Sequence, residues 1–221
     1  MNDLLRDILI ADLPPAFVNG FEKAAIWSYN EAWERVKNET CITDDGCHYL
    51  LPHLRRVLLE SALSNLALDS GLRVQSKEVS SGAHKYIEVR VGRLVMTCSK
   101  TTGPNAVPRS CDFRDQYSNI NEHIPQQNLF PVNSTPGPES LYCLIIHGPT
   151  AQNKDDLGFC CFGFPSQDMK DWVQPPIPLA DIRDYQRLYY RKSDDNHAKI
   201  QQAEGKLKPG FDTGHAEEER A

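Results

Sequence analysis

No uncharged apolar run in this chain approaches the ~20 residues that span a bilayer, so the sequence predicts no transmembrane helix. The N-terminus, Met1 to Pro15, sets acids inside its one short apolar stretch and has no small-residue cleavage site. A secretory signal is therefore not expected, and the chain reads as cytoplasmic. Cys-x-x-Cys is missing as well; the seven cysteines (41, 47, 98, 111, 143, 160 and 161) are odd in number and dispersed. That distribution argues against a disulfide framework and for reduced thiols, several of them inside apolar strand-like stretches. Also missing are a nucleophile elbow, a phosphate-cradling Gly-x-x-x-x-Gly-Lys-Ser/Thr loop, a dinucleotide fingerprint and any internal repeat.

What is present is an ordinary globular composition of 221 residues, 40% hydrophobic and 24% charged, enough for one sizeable core. The formal net charge is −6, yet residues 84–115 carry six cations against three acids, a local +3. An acidic body with one basic segment argues against wholesale nucleic-acid coating and permits a confined anion or acidic-partner site.

The clearest local pattern is a β-hairpin over residues 84–100, turning at Gly92-Arg93 in a type II′ turn. In that register Val91 opposes Leu94, Val89 opposes Met96 and Ile87 opposes Cys98, all on one face. Tyr86, Glu88, Arg90, Thr97 and Ser99 fall on the other. Before it, helical spacing predicts a short helix over 2–11, a second from Pro15 to about Lys37, and a third from His48 to about Asp69. A glycine cap at Gly71 closes the third. The strand 72–79 joins the hairpin to make a meander. Residues 101–138 are a long loop with a short helix near 110–121. Strands at 140–148 and 158–165 follow, the first apolar on both faces, then a short helix capped by Ser166 and another near 180–191.

The fold class expected is α+β: a helical N-terminal third packed on an antiparallel sheet of about five strands, with C-terminal helices and a polar tail. The expected regions are 1–71, helical; 72–191, the sheet domain; and 192–221, a charged, disorder-prone tail.

Several constellations are candidates for chemistry. Helix–strand–strand–strand, with Glu60 on the helix, Glu88 on the second strand and Lys100 closing the third, resembles the core of restriction-enzyme-type nucleases. That chemistry needs carboxylates converging on Mg²⁺ and a lysine beside the attacking water. Glu88-Val-Arg90 puts an arginine, which accepts no proton, where those enzymes carry lysine, and no acid stands on the third strand. The plainer reading is a surface Glu88/Arg90 pair worth ~0–1 kcal/mol.

Arg191 and His197 fit a loose ribonuclease spacing. Cys41, Cys47, His48 and His53 are metal-capable but match no zinc pattern. His147, ending a buried strand, is a candidate general base or a hydrogen-bonded structural histidine. Arg90, Arg93, Arg109 and Arg114 are candidates for a rim that grips an anion or an acidic partner. A small-ligand binder using aromatic and arginine side chains is a further alternative, recognisable by its pocket.

A resemblance adds to this. Tyr86 to Arg93, Arg109 with Phe113-Arg114, Asn128 to Phe130, Leu141-Tyr142 with His147-Gly148, and Gly163 to Pro165 with Trp172 carry it. Together these pieces are similar to uncharacterised bacterial proteins encoded beside helix-turn-helix regulators that bear a metallopeptidase-like domain. Such pairs are toxin–antitoxin-like or phage-defence modules. The resemblance implies a protein partner, such as that regulator, and brings no catalytic residues and no cofactor. The expectation taken forward is an interaction protein of such a module, with the Mg²⁺-dependent nuclease and the small-ligand module as alternatives.

Overall fold

The computed structural model describes residues 3–39, 43–80, 82, 84–124, 140–150 and 156–191. Contacts divide the chain after Arg183, and the fold set out here is that of the first unit. Its elements are α1 (Asp3–Asp12), α2 (Pro15–Lys37), α3 (Asp44–Asp69), β1 (Arg73–Glu78), β2 (Lys85–Val91) and β3 (Leu94–Lys100). Then come α4 (Asp112–Ser118), a 3-10 turn (Asn119–His123), β4 (Leu141–Pro149), β5 (Leu157–Gly163) and β6 (Ile177–Pro178). A further helical run starts at Leu179. No described helix is long and apolar enough to cross a membrane. The tail 192–221, Cys41, His197, the tip 151–155 and the segment Asn128–Phe130 lie outside the described residues.

The α+β class is as expected, and the helical N-terminal part packs against the sheet. Leu5, Leu9, Phe17, Phe21 and Leu63 from the three helices share one core with Val89, Met96, Cys143 and Ile145 from the strands. Pro15 opens α2, where its missing N–H is no loss. Helix α3 starts four residues earlier than its apolar spacing predicts, because Thr43 accepts from the Gly46 N–H at 3.3 Å and caps it. Its far end closes at Gly71, with φ +75°.

The sheet has six strands in the order β1-β2-β3-β4-β5-β6, one more than expected. It is mixed: β3 and β4 run parallel, from Leu94↔Leu141 to Lys100↔His147, and every other pair is antiparallel. Apolar alternation reveals which face a strand buries, not its direction. Here the long connection after Lys100 carries the chain back to start β4 beside the start of β3, which a tight turn cannot do. Central β4 is buried on both faces from Leu141 to Gly148. The short helix expected after Ser166 does not form. Ser166 Oγ instead donates to Asp168 at 2.7 Å and accepts from the Asp171 N–H at 3.1 Å, closing a loop at the Pro165–Trp172 bridge.

The hairpin departs from its expected register in one informative way. Val91↔Leu94 and Val89↔Met96 pair as predicted, and a positive φ of 49° at Gly92 with none at Arg93 suits the II′ turn. Pairing stops there, so Ile87 and Cys98 do not meet across the ladder. Beyond Val89 the β2 strand keeps its bonds to β1 as far as Lys85, while β3 keeps its bonds to β4 as far as Lys100. The sheet therefore splits between β2 and β3.

Candidate functional site

The split opens a cavity of about 570 Å³, within the range of ligand pockets. Pro52, His53, Arg55, Arg56, Leu59 and Glu60 of α3 form one wall. Val79, Ser80, His84, Lys85 and Tyr86 form another, at the β1–β2 turn. Cys98, Ser99, Lys100 and His147 line it from the ends of β3 and β4, and Cys111 to Arg114 from the start of α4. The helical period puts Pro52, Arg55, Arg56, Leu59 and Glu60 on one stripe of α3, so one helix delivers both cations and the acid. Five cationic side chains (Arg55, Arg56, Lys85, Lys100, Arg114) face two carboxylates (Glu60, Asp112).

The cations are held by the fold. Arg55 is 3% exposed, its guanidinium 4.7 Å from the centre of the Tyr29 ring on α2. The Tyr29 hydroxyl and His147 Nδ1 share a hydrogen bond at 2.8 Å, which fixes the ring's position. Burial, together with Lys100 and Arg55, pushes the His147 pKa down to about 3 and keeps the ring neutral. Burial likewise pushes the Tyr29 phenol up, against the pull of Arg55. On the α4 side, Phe113 stacks on Tyr86 at 4.0 Å, and the Arg114 guanidinium lies 5.0 Å from the Phe113 ring. Burial raises the Glu60 pKa, while Arg56, His84 and Arg114 pull it back. Cys98, at the cavity wall, has its thiol pushed up by burial and the Glu60 carboxylate, so it stays protonated and a poor nucleophile.

The nuclease site as drawn from the sequence does not assemble. Glu60 and Lys100 line the cavity, but Glu88 is absent from it. Glu88 points to the sheet face opposite Val89, fully buried, and accepts from Lys77 Nζ and Arg90 Nε at 2.6 Å each and from the Tyr117 hydroxyl. It is thus neither a metal ligand beside Glu60 nor the surface partner of Arg90 that the sequence suggests. Burial works against its charge, but the bonds from Arg90, Lys77 and Tyr117 hold the carboxyl down at about 2. No group of three or more His, Cys, Asp or Glu among the described residues is placed to hold a metal ion. His53 lines the cavity, whereas Cys47 packs on α2, its Sγ 3.8 Å from the Val36 carbonyl.

The arginine rim is divided too. Arg93 donates from its backbone N–H (3.0 Å) and its Nε (3.1 Å) to Asp12 Oδ2 at the end of α1, and Arg90 is held by Glu88. Arg114 stands at the other end of β3, ~20 Å away by strand rise, donating at 2.8 Å to the carbonyl of exposed Arg109. Strand direction separates residues that look clustered along the chain.

Sequence reasoning missed Arg55, Arg56, His84, Lys85 and Tyr29. The adjacent Arg55-Arg56 within an otherwise apolar helix was a visible signal; that it faces the end of β3 is a tertiary fact. No family model, no curated protein and no solved structure matches this chain.

Proposed function

We propose that this chain is a small-ligand-binding module for an organic anion, seated in the split between β2 and β3. The observation that carries it is the charge of the cavity, five cations against two acids in a chain of net −6. Lys85 is paired with Glu78 at 3.3 Å and, like Lys100, faces solvent, so the repulsion among the cations is screened, but their summed field still attracts an anion. Guanidinium groups suit phosphate and carboxylate in particular. Binding is proposed, and no reaction is assigned. The alternative of an interaction protein in a two-gene bacterial module has no comparable observation behind it, since its four arginines are divided between two ends of the sheet.

Calorimetry with inorganic phosphate tests the proposal. The wild-type chain is expected to bind, and Lys100→Gln to weaken binding by about tenfold or more, as loss of a charge-assisted hydrogen bond implies. Binding that is undetectable at millimolar phosphate, or unchanged in Lys100→Gln, overturns it.

A further inference from the structure

A second, more open depression of about 490 Å³ adjoins the first and shares Arg56, Glu60, His84 and Lys85 with it. Its remaining wall is of a different character: Ser61, Ser64 and Asn65 of α3, with apolar Val57 and Ile87. Residues 57, 61, 64 and 65 recur at three- and four-residue spacing over ~12 Å, on a face of α3 turned about a third of the way round from the stripe that lines the first cavity, with Arg56 and Glu60 at the border of the two. From the first face to the second the α3 lining changes from cationic to uncharged and hydrogen-bonding. Glu60 stands at the change, in both cavities.

Resting on the anion reading above, we infer that the ligand is a phosphorylated polyol of the sugar-phosphate class, with its phosphate among the cations and its hydroxyls on Glu60 and the Ser61–Asn65 stripe. A carboxylate has only acceptors to offer, so it repels a phosphate and receives a hydroxyl. Glu60 therefore gives nothing to a bare anion. It also disfavours a ligand with a second anionic group at the junction, such as a dicarboxylate or a polyphosphate. An anion followed directly by neutral hydroxyl donors meets both halves of the site. Val57 and Ile87 give the C–H face of a sugar an apolar surface to lie on.

The test is calorimetry on the full chain with ribose 5-phosphate, inorganic phosphate and ribose. Wild type is expected to prefer ribose 5-phosphate over inorganic phosphate by at least about tenfold, the worth of one or two hydrogen bonds to a charged group. Glu60→Ala should weaken ribose 5-phosphate by about tenfold and tighten inorganic phosphate, because one repelling charge is gone. Ser64→Trp, which fills the second cavity from a partly exposed helical position, should weaken ribose 5-phosphate alone. Circular dichroism confirms that each variant is folded. If both variants move the two probes in parallel, or wild type shows no preference, the polyol assignment fails while the anion site stands. If wild type binds neither phosphate probe, the anion reading itself fails.

Discussion

Glu88 collects donors from three elements: Lys77 on β1, Arg90 on β2 and Tyr117 on α4. Such a group contributes little compared with an apolar residue of its size, and removing it takes an acceptor from two half-exposed cations, which water can partly replace. Glu88→Ala is expected to lower stability by about 1–3 kcal/mol in urea denaturation, the worth of hydrogen bonds to a charged group; a change under ~0.5 kcal/mol would mean that the cluster behaves as a surface pair. His147 gives the other residue-scale expectation. Its pKa lies near 3 in the fold against 6.5 for a free histidine. Between those values the unfolded chain holds the extra proton, so stability rises with pH. This contribution is complete above about pH 6.5 and disappears as pH falls through 3, with a slope of about 1.4 kcal/mol per pH unit between. Denaturation curves from pH 4 to 6 should show that slope in wild type and lose it in His147→Asn. An unchanged slope would mean the ring is protonated in place.

At the scale of elements, the β2–β3 turn shows how a local pattern and a distant contact reinforce each other. Gly92 adopts φ +49°, and a Cβ there would lie 2.7 Å from the Asp12 carboxyl that holds Arg93. Gly92→Ala is expected to destabilise by about 1–2 kcal/mol from the backbone alone, read from the thermal midpoint. A smaller loss would show that Asp12 moves aside and the turn tolerates a side chain. The turn and the register near it were legible in the sequence because glycine and the alternation of Val89, Val91, Leu94 and Met96 are local signals. Asn121 was not legible, although it fastens the 3-10 turn to the sheet. Its amide donates to the Tyr142 and Pro165 carbonyls at 2.9 Å each, and its Oδ1 accepts from the Tyr142 N–H at 2.8 Å. Nothing in the run Asn119–His123 marks one asparagine as buried.

Across the whole molecule, the helices and the alternation of buried faces were readable, while strand direction and the cavity were not. Which way β4 runs is decided by where the chain returns after residue 124. The place where β2 leaves β3 is decided by competition between neighbours, since β1 and β4 each offer pairing over residues that the hairpin would otherwise use. Lys100 was singled out from its position at a strand end, and Glu60 from its helix. Their actual companions, Arg55, Lys85 and Arg114, come from segments up to ~60 positions apart, and only the fold joins them. An acidic chain has thereby brought five of its 24 lysines and arginines to one end of one sheet.

Three rungs, Val89–Val91 against Leu94–Met96, are all that join the β1–β2 ribbon to β3. Beyond Val89 the ribbon is fastened to α4 instead, where Tyr86 stacks on Phe113 at 4.0 Å and Ser80 donates to Asp112. The gap between β2 and β3 is thus bridged by an aromatic clasp on a short helix rather than by backbone hydrogen bonds.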